Sequence, residues 1–151
     1  MDALCKITKK LMLPMTFILP FWLSFGLYAL GVGGWGSLAL IYFIAPLLLL
    51  ILGIIGLLVG TRRDVRKNKQ LNPTDALVLT SLYTSIFLFG FFTVNGADTE
   101  ESINSVAMEL FGRGFQSASD WLGQAFFIIS IILIVIAFVL FLYEILVKPV
   151  D

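Results

Sequence analysis

The sequence contains no histidine and a single cysteine, Cys5, among its 151 residues. An intrachain disulfide needs two cysteines, and histidine-ligated haem and Cys/His zinc sites need residue types that are missing here. We therefore predict no metal and no other cofactor. Cys5 precedes the first apolar run, and we interpret it as a free thiol, with reversible palmitoylation as the functional alternative.

Charge is also scarce, since only 13% of the residues are charged and the formal net charge is zero. The chain therefore has no strong net charge that would indicate nucleic acid as a partner. Hydrophobic residues make up 59% of the chain, against about 45–50% in a typical soluble domain. The apolar residues fall into four runs of about 20 residues, the length that crosses a bilayer. The runs cover residues 11–30, 38–59, 76–94 and 125–147. The sequence predicts an all-α integral membrane protein with four transmembrane helices in two antiparallel hairpins.

A basic loop, residues 61–75, lies between the second and third runs. Its basic residues are Arg62, Arg63, Arg66, Lys67 and Lys69. Short loops rich in Lys and Arg stay in the cytoplasm, so we expect this loop and both termini to be cytoplasmic. The same charges are candidates for binding anionic lipid or a partner. The brevity of the loops favours a bacterial inner (plasma) membrane.

Two prolines interrupt the first hairpin. Pro20 removes the helical partner of the Thr16 carbonyl, and Pro46 does the same for Tyr42. Proline inside a helix kinks it, and membrane helices tolerate the kink when neighbours satisfy the freed carbonyl. We predict kinks at both positions.

Two sets of small residues predict helix-packing surfaces. Gly53, Gly56 and Gly60 lie toward the end of the second run, and the last two form a Gly-x-x-x-Gly pair. Such pairs let helices approach closely in lipid, with a partner in this chain or in another subunit. The third run carries hydroxyls on one predicted face that should point into protein. These are Thr80, Ser81, Thr84 and Ser85.

The segment 95–124 is the largest piece outside the predicted spans. Asp98 and Glu101 have the spacing of a capping box, and apolar residues then recur at helical spacing. That stripe comprises Ile103, Val106, Ala107, Leu110, Phe111, Phe115, Ala118 and Leu122. We predict an amphipathic helix on the outer surface, broken near Gly112 and Gly114. Its apolar face buries against lipid, the top of its own bundle or a partner, and the candidate interface residues are Ile103, Val106, Leu110, Phe111 and Phe115.

Two carboxylates lie at span ends. Asp75 follows Asn72-Pro73, a typical helix start in which an acid favours the positive end of the dipole. Glu144 precedes Lys148 by one turn, a pair typical of a helix exit. We interpret both carboxylates as structural and expect no buried charge pair within the spans.

These features favour a non-enzymatic accessory or scaffolding subunit of a larger membrane complex, with lipids and other subunits or further copies as partners. A second hypothesis is a small channel or carrier subunit that works as an oligomer, with the prolines and hydroxyls beside a pathway. A third is a regulator that binds anionic lipid or a partner through the basic loop. Lipid-directed catalysis is disfavoured because Asp64 and Asp75 have no recognisable metal or nucleophile arrangement around them.

Overall fold

The computed structural model describes residues 2–30, 32, 38–62, 65, 71–95 and 103–147. This part of the chain is helical apart from its connections and one isolated bridge. Helix α1 runs over Asp2–Ala29, α2 over Leu40–Thr61 and α3 over Pro73–Phe92. The short α4 spans Val106–Phe111, and α5 spans Gln116–Val147 after a 3-10 turn at Arg113–Phe115. The four helices α1, α2, α3 and α5 are long and apolar enough to cross a membrane, which confirms the prediction of four such helices.

Two helices begin earlier than the hydropathy pattern indicates. α1 begins at Asp2, so Lys6, Lys9 and Lys10 lie on its first turns rather than before it. α5 begins at Gln116, so residues 116–124 belong to the last long helix and not to a separate outer helix. Its 32 residues extend for roughly 48 Å at 1.5 Å per residue, beyond the ~30 Å hydrocarbon core of a bilayer.

Each proline-containing helix of the first hairpin includes a π-helical turn. In α1 this turn is Trp22–Gly26, shortly after Pro20, and in α2 it is Leu40–Ile44, shortly before Pro46. The two π-helical turns contact each other near the hairpin connection. An inserted residue changes the hydrogen-bond spacing without ending the helix, so both helices continue past the irregularity.

The long helices form a ring in the order α1, α2, α5, α3, and α3 packs most extensively against α5. Leucines such as Leu23, Leu52 and Leu82 fill the centre. α5 buries only a narrow stripe, which consists of Ser119, Gly123, Ser130, Ala137 and Phe141. Successive positions are four or seven residues apart and so lie on one face of α5. Four of the five residues are small, so α3 can pack closely against this face. Most of the α5 circumference is exposed and apolar.

The described part of the segment between α3 and α5 contains only one short helix and a 3-10 turn in place of the predicted amphipathic helix, and the interruption falls at Gly112, near the predicted break. Asn95 and Asn104 form an antiparallel bridge, with N–H to carbonyl distances of 2.8 and 3.1 Å. α4 follows at once, and its C-cap is Gly112, whose φ of +89° lies in the left-handed region that favours glycine. The predicted capping pair, Asp98 and Glu101, lies outside the described residues.

Candidate functional site

Three charged side chains meet at the end of the bundle that carries the loop between α2 and α3. Arg62 Nη1 lies 2.8 Å from Asp75 Oδ2, and the same nitrogen contacts Glu144 Oε2. The side chains of Arg62, Asp75 and Glu144 are only 3%, 0% and 11% exposed. One guanidinium therefore connects the end of α2, the start of α3 and the last turns of α5. We call Arg62, Asp75 and Glu144 the charge cluster.

Local sequence places each member of the charge cluster. α2 ends at Thr61, and Arg62 adopts an extended conformation that turns its side chain back toward the bundle. α3 begins at Pro73 with Asn72 as its N-cap, so Asp75 is in the first turn at the positive end of the helix. Glu144 lies one turn before the end of α5.

Described residues of the loop between Arg62 and Asp75 also contact the bundle. Val65 and Leu71 are buried in the core cluster, and Lys9 Nζ donates a hydrogen bond to the Val65 carbonyl at 2.8 Å. This contact adds α1 to the three helices that the charge cluster joins. All four long helices are therefore connected at the loop end.

The charge cluster corrects one expectation from the sequence. Arg62 is buried against two carboxylates and is not available to a lipid headgroup or soluble partner, because its charge is already neutralised inside the bundle. Arg62 and Asp75 form a buried pair within the predicted loop, residues 61–75, and not within the predicted spans. The other basic candidates, Arg63, Arg66, Lys67 and Lys69, lie outside the described residues, as does Lys148.

Within the described residues, no group of three or more His, Cys, Asp or Glu side chains is arranged to hold a metal ion. A buried guanidinium between two carboxylates has a clear structural role. A buried ion pair is often no better for stability than an apolar replacement, but loss of one partner leaves an uncompensated charge. The arrangement therefore fixes which helix ends come together.

The four hydroxyl candidates of α3 point in different directions. Thr80 shares a hydrogen bond of 3.0 Å with Thr8 of α1, whereas Ser85 lies 3.0 Å from the Ser130 hydroxyl of α5. Ser81 is half-buried and Thr84 is exposed. The hydroxyls therefore do not share one cavity. Two of them connect α3 to its two neighbours in the ring.

The glycine candidates of α2 face open space. A Cβ built on Gly53, Gly56 or Gly60 has no atom of a neighbouring described element within 4 Å. Gly53 and Gly56 instead line an open groove of about 630 Å³ between α1 and α2. Within the described chain these glycines do not bring two helices together.

The two prolines also differ in surroundings. Pro20 is buried, and its carbonyl accepts a 2.8 Å hydrogen bond from the Ser24 hydroxyl. Pro46 is exposed at the groove between α1 and α2. The residues therefore do not converge on a shared pathway.

The close approaches involve glycines that sequence reasoning missed. A Cβ on Gly90 of α3 would lie 2.6 Å from Leu23 Cδ2 and 2.6 Å from Trp22 Nε1, both of α1. On α5, a Cβ at Gly123 would lie 3.0 Å from the Phe92 carbonyl oxygen. Neither glycine belongs to a Gly-x-x-x-Gly pair, but Ser119 and Gly123 have the related small-x-x-x-small spacing, which could have indicated Gly123. Gly90 has no such partner in the sequence.

A chain of hydrogen bonds fixes α4 at the other end of the bundle. The Met108 N–H donates to Ser105 Oγ at 3.1 Å, Ser105 and Ser119 share a bond of 2.7 Å, and Ser119 donates to the Phe92 carbonyl at 2.9 Å. Ser105 is the N-cap of α4 and was not predicted from the sequence. A serine directly before a short apolar helical run could have indicated it.

The interface candidates of this segment divide into buried and exposed residues. Val106 is buried, and Ile103 and Phe115 are half-buried. Leu110 and Phe111 are 67% and 66% exposed, while the Phe111 ring also contacts Phe115 at a centroid distance of 5.4 Å. Leu110 and Phe111 thus face outward on a short helix whose first turn is held by hydrogen bonds. We call Leu110 and Phe111 the apolar tip.

No protein family, curated protein or solved structure matches this chain.

Proposed function

We propose that the protein is a non-enzymatic accessory or scaffolding subunit of a membrane complex and that the apolar tip of α4 is one of its contact surfaces. The observation that carries this proposal is the exposure of Leu110 and Phe111 outside the four long helices. Contiguous exposed apolar surface, unlike singly scattered apolar residues, typically marks an interaction site, and Leu110 and Phe111 adjoin each other on α4.

The rigidity of α4 supports a protein partner. The bridge between Asn95 and Asn104 holds the incoming chain, and the Ser105–Ser119 hydrogen bond holds the first turn. A fixed apolar surface loses less conformational entropy on binding than a flexible one. α4 has only six residues, which is short for a helix that binds a lipid surface by itself.

The orientation belongs to the same proposal. The charge at Lys6, Lys9 and Lys10 and in the basic loop favours a cytoplasmic location for the charge cluster end. We therefore propose that α4 lies on the outer side of a bacterial inner membrane. The alternative of a small channel receives less support, because Thr80 and Ser85 bond to different neighbours and Pro46 faces outward.

Photocrosslinking tests the proposal. A benzoylphenylalanine in place of Phe111 should give one protein adduct of defined mass in native membranes. The matched control is the same substitution at Phe43 of α2, which is 74% exposed but lies within a long helix. This control should give lipid adducts. Lipid adducts alone at both positions would contradict the proposed contact surface.

A further inference from the structure

The groove between α1 and α2 has the dimensions of a site for one lipid chain. The residues that line it include Leu13 and Phe17 of α1 and Pro46, Leu50, Gly53 and Leu57 of α2. From Pro46 to Leu57 the groove follows α2 for roughly 17 Å, close to the ~15 Å of hydrocarbon in one leaflet.

Two basic side chains lie on α1 before the residues that line this groove. Lys6 and Lys10 are exposed on α1, and they precede Leu13 and Phe17 by seven residues each. Positions seven apart lie on nearly the same helical face, so the lysines continue the groove wall toward the loop end. This part of α1 lies beside the end of α2, because Lys9 Nζ donates a hydrogen bond to the Val65 carbonyl just past α2.

We propose that this groove binds one anionic phospholipid, with an acyl chain between α1 and α2 and the phosphate at Lys6 and Lys10. Charge complementarity selects this occupant, because the lysines lie where a headgroup would be and the groove below them is apolar. Gly53 lines the groove and has no side chain to occupy it. The proposal rests on insertion of the four long helices in a membrane but not on the accessory function.

Each part of the site makes a different contribution. A basic residue near the surface of an anionic membrane strengthens lipid binding about fivefold, so the lysines favour anionic over zwitterionic lipids. The groove supplies shape and apolar contact for the chain. Charge removal should therefore change headgroup preference, whereas filling the groove should reduce the amount of lipid retained.

The experiment uses the full chain in nanodiscs that contain equal amounts of phosphatidylglycerol and phosphatidylcholine. Mild release followed by native mass spectrometry gives the lipids retained on each protein. The wild type should retain phosphatidylglycerol preferentially. Lys6→Gln and Lys10→Gln should each lower the ratio of retained phosphatidylglycerol to phosphatidylcholine about fivefold, and Lys6→Arg/Lys10→Arg should restore the preference. An equal ratio in the wild type, or an unchanged ratio in Lys6→Gln/Lys10→Gln, would overturn the proposal.

Gly53→Leu tests the groove itself. A Cβ at this position meets nothing in the neighbouring described elements, so the variant should fold and retain less than half as much lipid. Val139→Leu adds bulk to an exposed position of α5 and should retain as much lipid as the wild type. Unchanged retention in Gly53→Leu would show that the lipid binds elsewhere.

A second copy of the chain is the competing occupant. Leu57→Cys in a Cys5→Ala background places a thiol in the groove wall and removes the native thiol. Under oxidation in the membrane, a monomeric product supports the lipid site. Efficient disulfide-linked dimers would overturn it, because the groove would then be an interface between copies.

Discussion

Arg62 and Asp75 lie on opposite sides of the loop between α2 and α3, and their side chains meet at 2.8 Å with almost no exposure. This contact closes the loop at its base and positions Arg62 to reach Glu144 of α5. A charge that sequence reasoning assigned to membrane or partner binding thus joins helices within the chain.

Loss of Arg62 should destabilise the protein more than loss of a basic side chain from an exposed position. Arg62→Met leaves Asp75 and Glu144 in a buried site without the guanidinium, and we expect the free energy of unfolding to fall by about 3–5 kcal/mol. Unfolding in mixed micelles with increasing sodium dodecyl sulfate measures this change. Lys10→Met, at an exposed position, is the matched control and should be close to wild type. An equal, small effect of both changes would contradict a structural charge cluster.

Replacement of the whole charge cluster should recover most of that loss. Arg62→Met/Asp75→Leu/Glu144→Met removes all three buried charges together, and apolar replacements of buried ion networks are often neutral or stabilising. The same unfolding titration should place this triple variant above Arg62→Met in stability. A triple variant that is less stable than Arg62→Met would contradict the explanation that uncompensated buried carboxylates destabilise Arg62→Met.

Gly90 should be far less tolerant of a side chain than Gly53. In Gly90→Ala the new methyl group would displace the Trp22 indole, which stacks on Phe87 at 5.0 Å and donates a hydrogen bond to the Phe87 carbonyl. Overpacking of this kind costs about 1–3 kcal/mol, and it should also shift the tryptophan emission. Gly53→Ala has free space and should be neutral or slightly stabilising, since alanine favours helix. Equal tolerance at the two positions would contradict the close α1–α3 contact.

Ser119 should matter more than its single hydroxyl suggests. Ser119→Ala removes a donor to the Phe92 carbonyl and an acceptor for Ser105, so a partly buried carbonyl and a buried hydroxyl lose a partner at once. We expect a loss of about 1–3 kcal/mol and faster amide hydrogen exchange in α4. Ser117→Ala, at an exposed position two residues earlier, should change neither quantity. Unchanged exchange in Ser119→Ala would show that α4 is held by other contacts.

The sequence predicted the four long helices well because hydropathy is a local property. Asn72-Pro73 also indicated the start of α3, which the structure places at Pro73. The starts of α1 and α5 were misplaced because Lys6 and Asp120 are polar residues that helices accommodate outside the apolar stretch. Hydropathy marks the apolar part of a helix, and it does not mark where the helix begins.

The candidate site was predicted less well because it depends on which helices are neighbours. Arg62 and Glu144 are 82 positions apart in the sequence, and neither has a local signal that pairs it with the other. The glycine pattern was similarly uninformative, since Gly56 and Gly60 have the favoured spacing but face open space, whereas the isolated Gly90 lies at a close helix contact.

The most direct measurement of the accessory function is native mass analysis of the tagged protein, extracted in mild detergent from cells that express it at its natural level. The account predicts a stoichiometric complex with larger membrane subunits, and the yield of that complex should fall at least severalfold in Leu110→Ser/Phe111→Ser. The control variant Glu109→Gln, at an exposed position of the same helix, should keep the wild-type yield. Recovery of a pure symmetric oligomer of this chain, unaffected by the change to the apolar tip, would contradict the account and make solute flux through the reconstituted protein the question to test.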